Sequence, residues 1–335
     1  DRPAMRMGVP RDNAAVSPRP EPVDFKQKWT DPDFVVKSFI PTCEEGAYVA
    51  ESIPTNPLLV GYAFAYNAEL HFSKQTISHR QLFNSAEEYA AFDFDYENDW
   101  GWNQSKKVLR AMGRVGKGKF TVGIPTIIQG NDLLSVLRNP VNFLMDLVDE
   151  PDAVKKTLKK MNQDWIAATE ECFDILKEEG IEGSTTWLGI WSPKKTVTLQ
   201  SDVSCMMSPD MFDEFIMPEI EECAKRFDHA FYHLDGADAV KHLDRLLEVP
   251  EIFGIQFGAG VGHSNDIEEW LPMYKKIQAA GKGLCPPPLP KEKLELALRE
   301  LNPRGLFLTV SGAGTIQGAE SILKSAEEYT AKYWK

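Results

Sequence analysis

The run Phe231-Tyr232-His233-Leu234-Asp235-Gly236 places an imidazole and a carboxylate two residues apart at the end of a short apolar stretch. Alternation along a strand puts His233 and Asp235 on one face and Tyr232 on the other. Gly236 lets the backbone turn away. The apolar spacing of Ala239, Val240, Leu243, Leu246 and Leu247 then predicts a helix that stops at Pro250. Ligands of strand–turn–helix units collect at the carboxyl end of the strand, where His233 and Asp235 sit. Such a pair serves general acid–base chemistry or supplies part of a metal site, though zinc takes three or four protein ligands. A pair satisfied by a neighbouring loop is the alternative. Asp202, Glu97 and Cys285 are the further ligand candidates.

A second set is Gln200 and Asp202, in an alternating TVTLQSDVS run. An aspartate in a strand needs a partner, which points to a pocket. Trp187 and Trp191, at strand spacing in Ser184–Trp191, either wall that pocket or pack in the core. We place Tyr232, Gln256 and Asn131 beside them as substrate contacts, and Asp202 with His233 and Asp235 as catalytic candidates. The turns Gly258–Gly262 and Ser311–Thr315 either offer backbone N–H groups to an anion or are simply tight turns. The acidic, aromatic FDFDYENDWGW stretch at 92–102 is a pocket lip or a turn and helix start.

These residues need a frame. Strand-like runs at 3–9, 119–125, 184–191, 252–257, 283–285 and 305–310 alternate with helical runs, including a long one at 151–179 closed by Gly180. Strands separated by helices imply parallel pairing with right-handed crossovers. No GxGxxG opens a helix after an early strand, so a (β/α)8 TIM-type barrel is preferred to a dinucleotide fold. Residues 1–335 are read as one barrel domain, with 10–80, rich in proline, as an irregular N-terminal excursion or lid over its mouth.

Composition narrows the partners. With 37 Lys and Arg against 50 Asp and Glu, the net charge of −13 argues against nucleic acid. No apolar run approaches the roughly 20 residues of a membrane span. The five cysteines form no C-x-x-C pair, which fits a reduced, cytoplasmic protein.

The runs LQSDVSCMMSPDMFDEFIMPEIEEC, FYHLDGADAVKHLDRLLEVPEIFGIQF and FTVGIPTIIQGNDLLSVLRNPVNFLMDLVDEPDAV resemble the uroporphyrinogen decarboxylase superfamily over about two thirds of the chain. The resemblance implies a (β/α)8 barrel, and homodimers are common in that superfamily. It lies nearer the corrinoid-linked methyltransferase branch, whose members carry His-x-Cys at this strand end and a second Cys after the last strand, binding zinc. Here Asp235 replaces the first Cys, and Ser311 or Gly312 stands at the second. The implied metal, if zinc, would be held by His233 and Asp235 through nitrogen and oxygen. The true decarboxylases carry an arginine-rich loop after the first strand, where this chain has one arginine, Arg11. The implied function is transfer of a methyl group from a small O-, N- or S-methyl compound to a corrinoid protein. The alternatives are a decarboxylase or lyase on a small carboxylic acid, or a non-catalytic binding barrel.

Overall fold

The computed structural model describes residues 2–12, 17–56 and 64–334, so 13–16 and 57–63 of the expected excursion lie outside the described residues. The chain divides into two compact units, one of residues 1–18, 40–54 and 230–335, the other of 19–39 and 55–229.

The first unit alternates strand and helix. Ala4–Pro10 pairs in parallel with Phe307–Ser311 and antiparallel with Gly46–Ala50. Ile252–Gly258 lies between the His233 strand and Gly283–Cys285, parallel to both. A parallel bridge, Leu284 to Leu306, connects the two groups of strands. Period-two alternation gives these strands an apolar face bearing Met5, Met7, Leu234, Ile255, Phe257, Leu308 and Val310, all buried. Helices cover that face. Phe257 meets Trp270 and Tyr274 of helix Ile267–Ala279 at ring separations of 4.7 and 6.1 Å. Each large apolar side chain so buried contributes about 1.5–3 kcal/mol. The opposite face carries Arg6, Thr309, Gln256, His233 and Asp235, none of them fully buried.

The second unit is mainly helical and is built around Pro151–Glu178, whose Val154, Leu158, Met161, Trp165, Ala168, Cys172 and Ile175 are buried at the expected spacing. Proline opens this helix, and Gly180, at φ 76°, follows its end. The 92–102 stretch is a turn and helix start. Phe94 packs against Tyr66 and Phe92 at 4.8 and 5.0 Å, while Asp99 caps helix Trp100–Gly116 by accepting from the Trp102 N–H at 2.8 Å. Glu97 is exposed there.

Strands in this unit are shorter than expected. Residues 119–125 yield only Thr121–Val122, paired with Thr55–Asn56, and a bridge from Gly123 to Thr185. Ser184–Trp191 is not a strand. Ser184 and Ser192 pair with each other, so the residues between them form a turn that includes Gly189 at φ 70°. The alternating TVTLQSDVS run is strand only to Gln200, and Asp202 opens a 3-10 turn, Asp202–Met206. The architecture is mixed α/β with parallel strands, and the described pairings do not close into a ring. Among the described residues no helix is long and apolar enough to cross a membrane.

Candidate active site

His233 and Asp235 project from the polar face of strand His229–Asp235, with His233 Nε2 and Asp235 Oδ1 3.9 Å apart. Their side chains are 15% and 44% exposed, so both remain within reach of a solute. The strand register sets Gln256 opposite His233 and Gly258 opposite Asp235. Gln256 Nε2 donates to the Phe257 carbonyl at 2.7 Å, which fixes the amide and turns Oε1 toward the imidazole. An amide oxygen only accepts, so His233 Nδ1–H donates to it. That bond holds the ring with Nε2 directed toward the Asp235 carboxylate. At 3.9 Å the imidazole nitrogen and the carboxylate oxygen are beyond direct hydrogen-bond distance of each other, and a group or cation placed beside them can touch both.

Gly258 borders this corner, where a Cβ would stand in ordinary contact with the pair, 3.4 Å from Asp235 Oδ1 and 3.8 Å from His233 Cε1. Cys285 is opposite Gln256 on the next strand, and burial pushes its thiol up to about 12 against the opposing pull of Arg6.

Gln256 was expected to touch substrate; the geometry makes it the residue that orients His233. Gln256→Leu should lower kcat about 10- to 100-fold with KM within about twofold, the scale seen when partners that orient a functional imidazole are removed. Gln256→Glu, which keeps an acceptor, should restore most of the loss. Steady-state kinetics of the two variants check this, and equal losses in both would refute it. Tyr232, also expected to touch substrate, is corrected: it is 1% exposed on the opposite face of the strand, in the apolar layer.

The second unit gathers its own polar cluster. Gln200 Nε2 donates to Asp202 Oδ1 at 3.4 Å, and the Gln200 N–H donates to Gln129 Oε1. Asp132, buried, accepts from the N–H groups of Asp202 and Val203 at 3.0 Å each. Burial, and next the charge of Asp202, raise the Asp132 carboxyl well above the usual carboxylate range. Glu219 accepts from the Gly130 N–H at 2.8 Å and from Asn131 Nδ2 at 3.0 Å, and burial pushes its carboxyl up to about 7. It rises from helix Met217–Arg226, directly after a π-helical turn. Gln129 Nε2, Asn131 Oδ1 and Ser201 Oγ are buried without hydrogen-bond partners.

Asn131 is thus a buried brace, 0% exposed, rather than the substrate contact expected of it. Trp187 lines a cavity of about 20 Å³ with Thr126, Thr169 and Gln200, enough for one water. Trp191 is 44% exposed and packs over Gly183, so the two tryptophans do not form one wall. Sequence reasoning missed Gln129, Asp132 and Glu219, and read Gly258 only as the start of a glycine-rich turn. Of the QGND run only Asn131 was singled out, and Glu219 drew no reading of its own.

A structure described as a methyltransferase from Methanosarcina mazei is similar to this chain, with TM-score 0.57 and 12% identity over 90% of this chain and 86% of that one. At that identity the likeness is one of fold. No family model and no curated protein matches the sequence.

Proposed function

We propose that the chain is a methyltransferase-like enzyme that removes a methyl group from a small O-, N- or S-methyl compound and passes it to a corrinoid protein. The observation that carries this reading is the facing pair His233 and Asp235, whose Nε2 and Oδ1 lie 3.9 Å apart with both side chains partly exposed. A departing alkoxide or amine leaves poorly without a proton or a Lewis acid, and an imidazole beside a carboxylate can deliver a proton or help to hold a cation. The fold likeness to a methyltransferase supports the same reading.

Zinc fits this donor pair in part. Imidazole nitrogen and carboxylate oxygen are both zinc ligands, and the bond from Nδ1 to Gln256 is the kind of outer support that metal-bound histidines receive. His233 and Asp235 are two of the three or four ligands such a site requires. When bound, zinc would polarise the heteroatom that carries the methyl group. His233 and Asp235 orient that atom, and Gln256 holds the ring.

The test is incubation of the protein with methyl ethers, methylamines and methyl thioethers and a Co(I) corrinoid, following methylcobalt formation by absorbance. Methylcobalt above the protein-free rate supports the proposal. Carbon dioxide release from carboxylic acids without any corrinoid would replace it with lyase chemistry, and neither product would leave a binding protein.

A further inference from the structure

We propose that the second unit carries a pocket for a small, flat aromatic alcohol, walled by Phe25, Trp29, Phe34 and Phe39. This goes beyond methyl transfer and is decided by binding alone.

The cavity measures about 710 Å³, within the roughly 300–1,000 Å³ of small-molecule sites. Its walls follow from the local sequence. Prolines at 18, 20 and 22 keep residues 17–22 out of any helix, and Pro20 and Pro22 form part of the lining. Asp24 then caps the short helix Phe25–Thr30, accepting from the Gln27 N–H at 2.7 Å, and Asp31 accepts from the Phe34 N–H at 2.8 Å as helix Pro32–Glu45 begins. Helical spacing sets Phe25, Lys28 and Trp29 on one face of the first helix and Val35, Ser38 and Phe39 on one face of the second. Both faces line the cavity.

The aromatic walls are held in place. Trp29 Nε1 donates to the Ser73 carbonyl at 2.8 Å, and the Lys28 ammonium, 4.3 Å from the centre of the Trp29 ring, donates to the Lys74 carbonyl. Phe39 meets Phe120 edge to face at 4.9 Å. Phe25 is 45% exposed, so a ligand against it takes aromatic surface out of water. Fixed rings favour a further ring, in offset or edge-to-face contact, over a saturated group of the same size. The charged residues that line the cavity, Arg19, Glu21, Lys28 and Lys74, are of both signs, so ring shape rather than charge selects the ligand. One polar requirement remains. Ser38 Oγ is buried without a hydrogen-bond partner, and a ligand hydroxyl seated beside it supplies the bond that the protein alone leaves unmade.

Titration calorimetry should compare 2-naphthol with decahydro-2-naphthol, which keeps the hydroxyl and the carbon skeleton but is puckered and has no aromatic face. The unaltered protein should bind 2-naphthol at least about fivefold tighter than the saturated alcohol. Phe25→Ala should weaken 2-naphthol by at least about fivefold, and Ser38→Ala by about threefold or more. Phe253→Ala, which removes an aromatic ring 52% exposed in the first unit, should leave the affinity unchanged. Equal binding of the two alcohols, unchanged binding in Phe25→Ala or Ser38→Ala, as large a loss in Phe253→Ala, or no binding of 2-naphthol at all would each overturn the assignment. The comparison of the two alcohols needs no variant, and Phe25 is exposed enough that its replacement gives up little packing.

Discussion

His233→Ala should lose between about 10²- and 10⁴-fold in methyl transfer while keeping the native fold, the range expected when a positioned acid–base group is removed. His233 is only part-buried, and its ring contacts Gln256 and faces Asp235 without entering the apolar layer under the helices. Its removal therefore costs little apolar packing, so a loss of turnover would report on the proposed chemistry. The loss should fall on kcat, because the contribution of a proton or Lewis acid grows as charge develops on the leaving atom. Circular dichroism and a thermal melt establish that the variant is folded. A folded variant with wild-type turnover removes His233 from the reaction.

The second large effect is on stability. Burial pushes the Glu219 carboxyl up to about 7, whereas the unfolded chain releases that proton near the ordinary glutamate value of 4.5. Below 4.5 both states hold the proton and the native state incurs no penalty. Between 4.5 and 7 the unfolded state alone ionises, so stability falls as pH rises and levels off above 7. From pH 5 to pH 8 the loss should be on the order of 2 kcal/mol. Asp132, raised by burial and by Asp202, adds a change of the same sign. Glu219→Gln should abolish the Glu219 part. A glutamine oxygen still accepts from the Gly130 N–H, and its amide donates to Asn131 Oδ1, which has no partner in the native protein, once the Asn131 amide rotates. Urea unfolding at the two pH values provides the comparison, and an undiminished pH slope in Glu219→Gln would show that another group sets it.

The legible parts of this molecule were those governed by periodicity within one element. The helix Pro151–Glu178 and the strands Ile252–Gly258 and Gly283–Cys285 fall close to where apolar spacing places them. His233 and Asp235 were legible as a pair because residues two apart on a strand share a face whatever surrounds them. Their partners were not. Gln256 and Gly258 reach the pair through a register between strands more than twenty residues apart, and no local pattern encodes that register. Ser184–Trp191 misled for the opposite reason. Its Thr and Trp residues favour strands, yet the pairing of Ser184 with Ser192 and the left-handed Gly189 bend the segment into a turn. Glu219 and Asp132 escaped notice because a carboxylate in a helical pattern reads as solvated, and only the fold reveals the amides it binds.

The most direct measurement compares wild type and His233→Ala over a series of methyl aryl ethers graded by the acidity of the departing phenol, in single turnovers with a Co(I) corrinoid. Assistance to the leaving oxygen matters most when that oxygen is basic, so the ratio of wild-type to variant rates should be largest for the least acidic phenols and approach one for the most acidic. A ratio that stays constant across the series would mean that His233 does not act on the leaving atom.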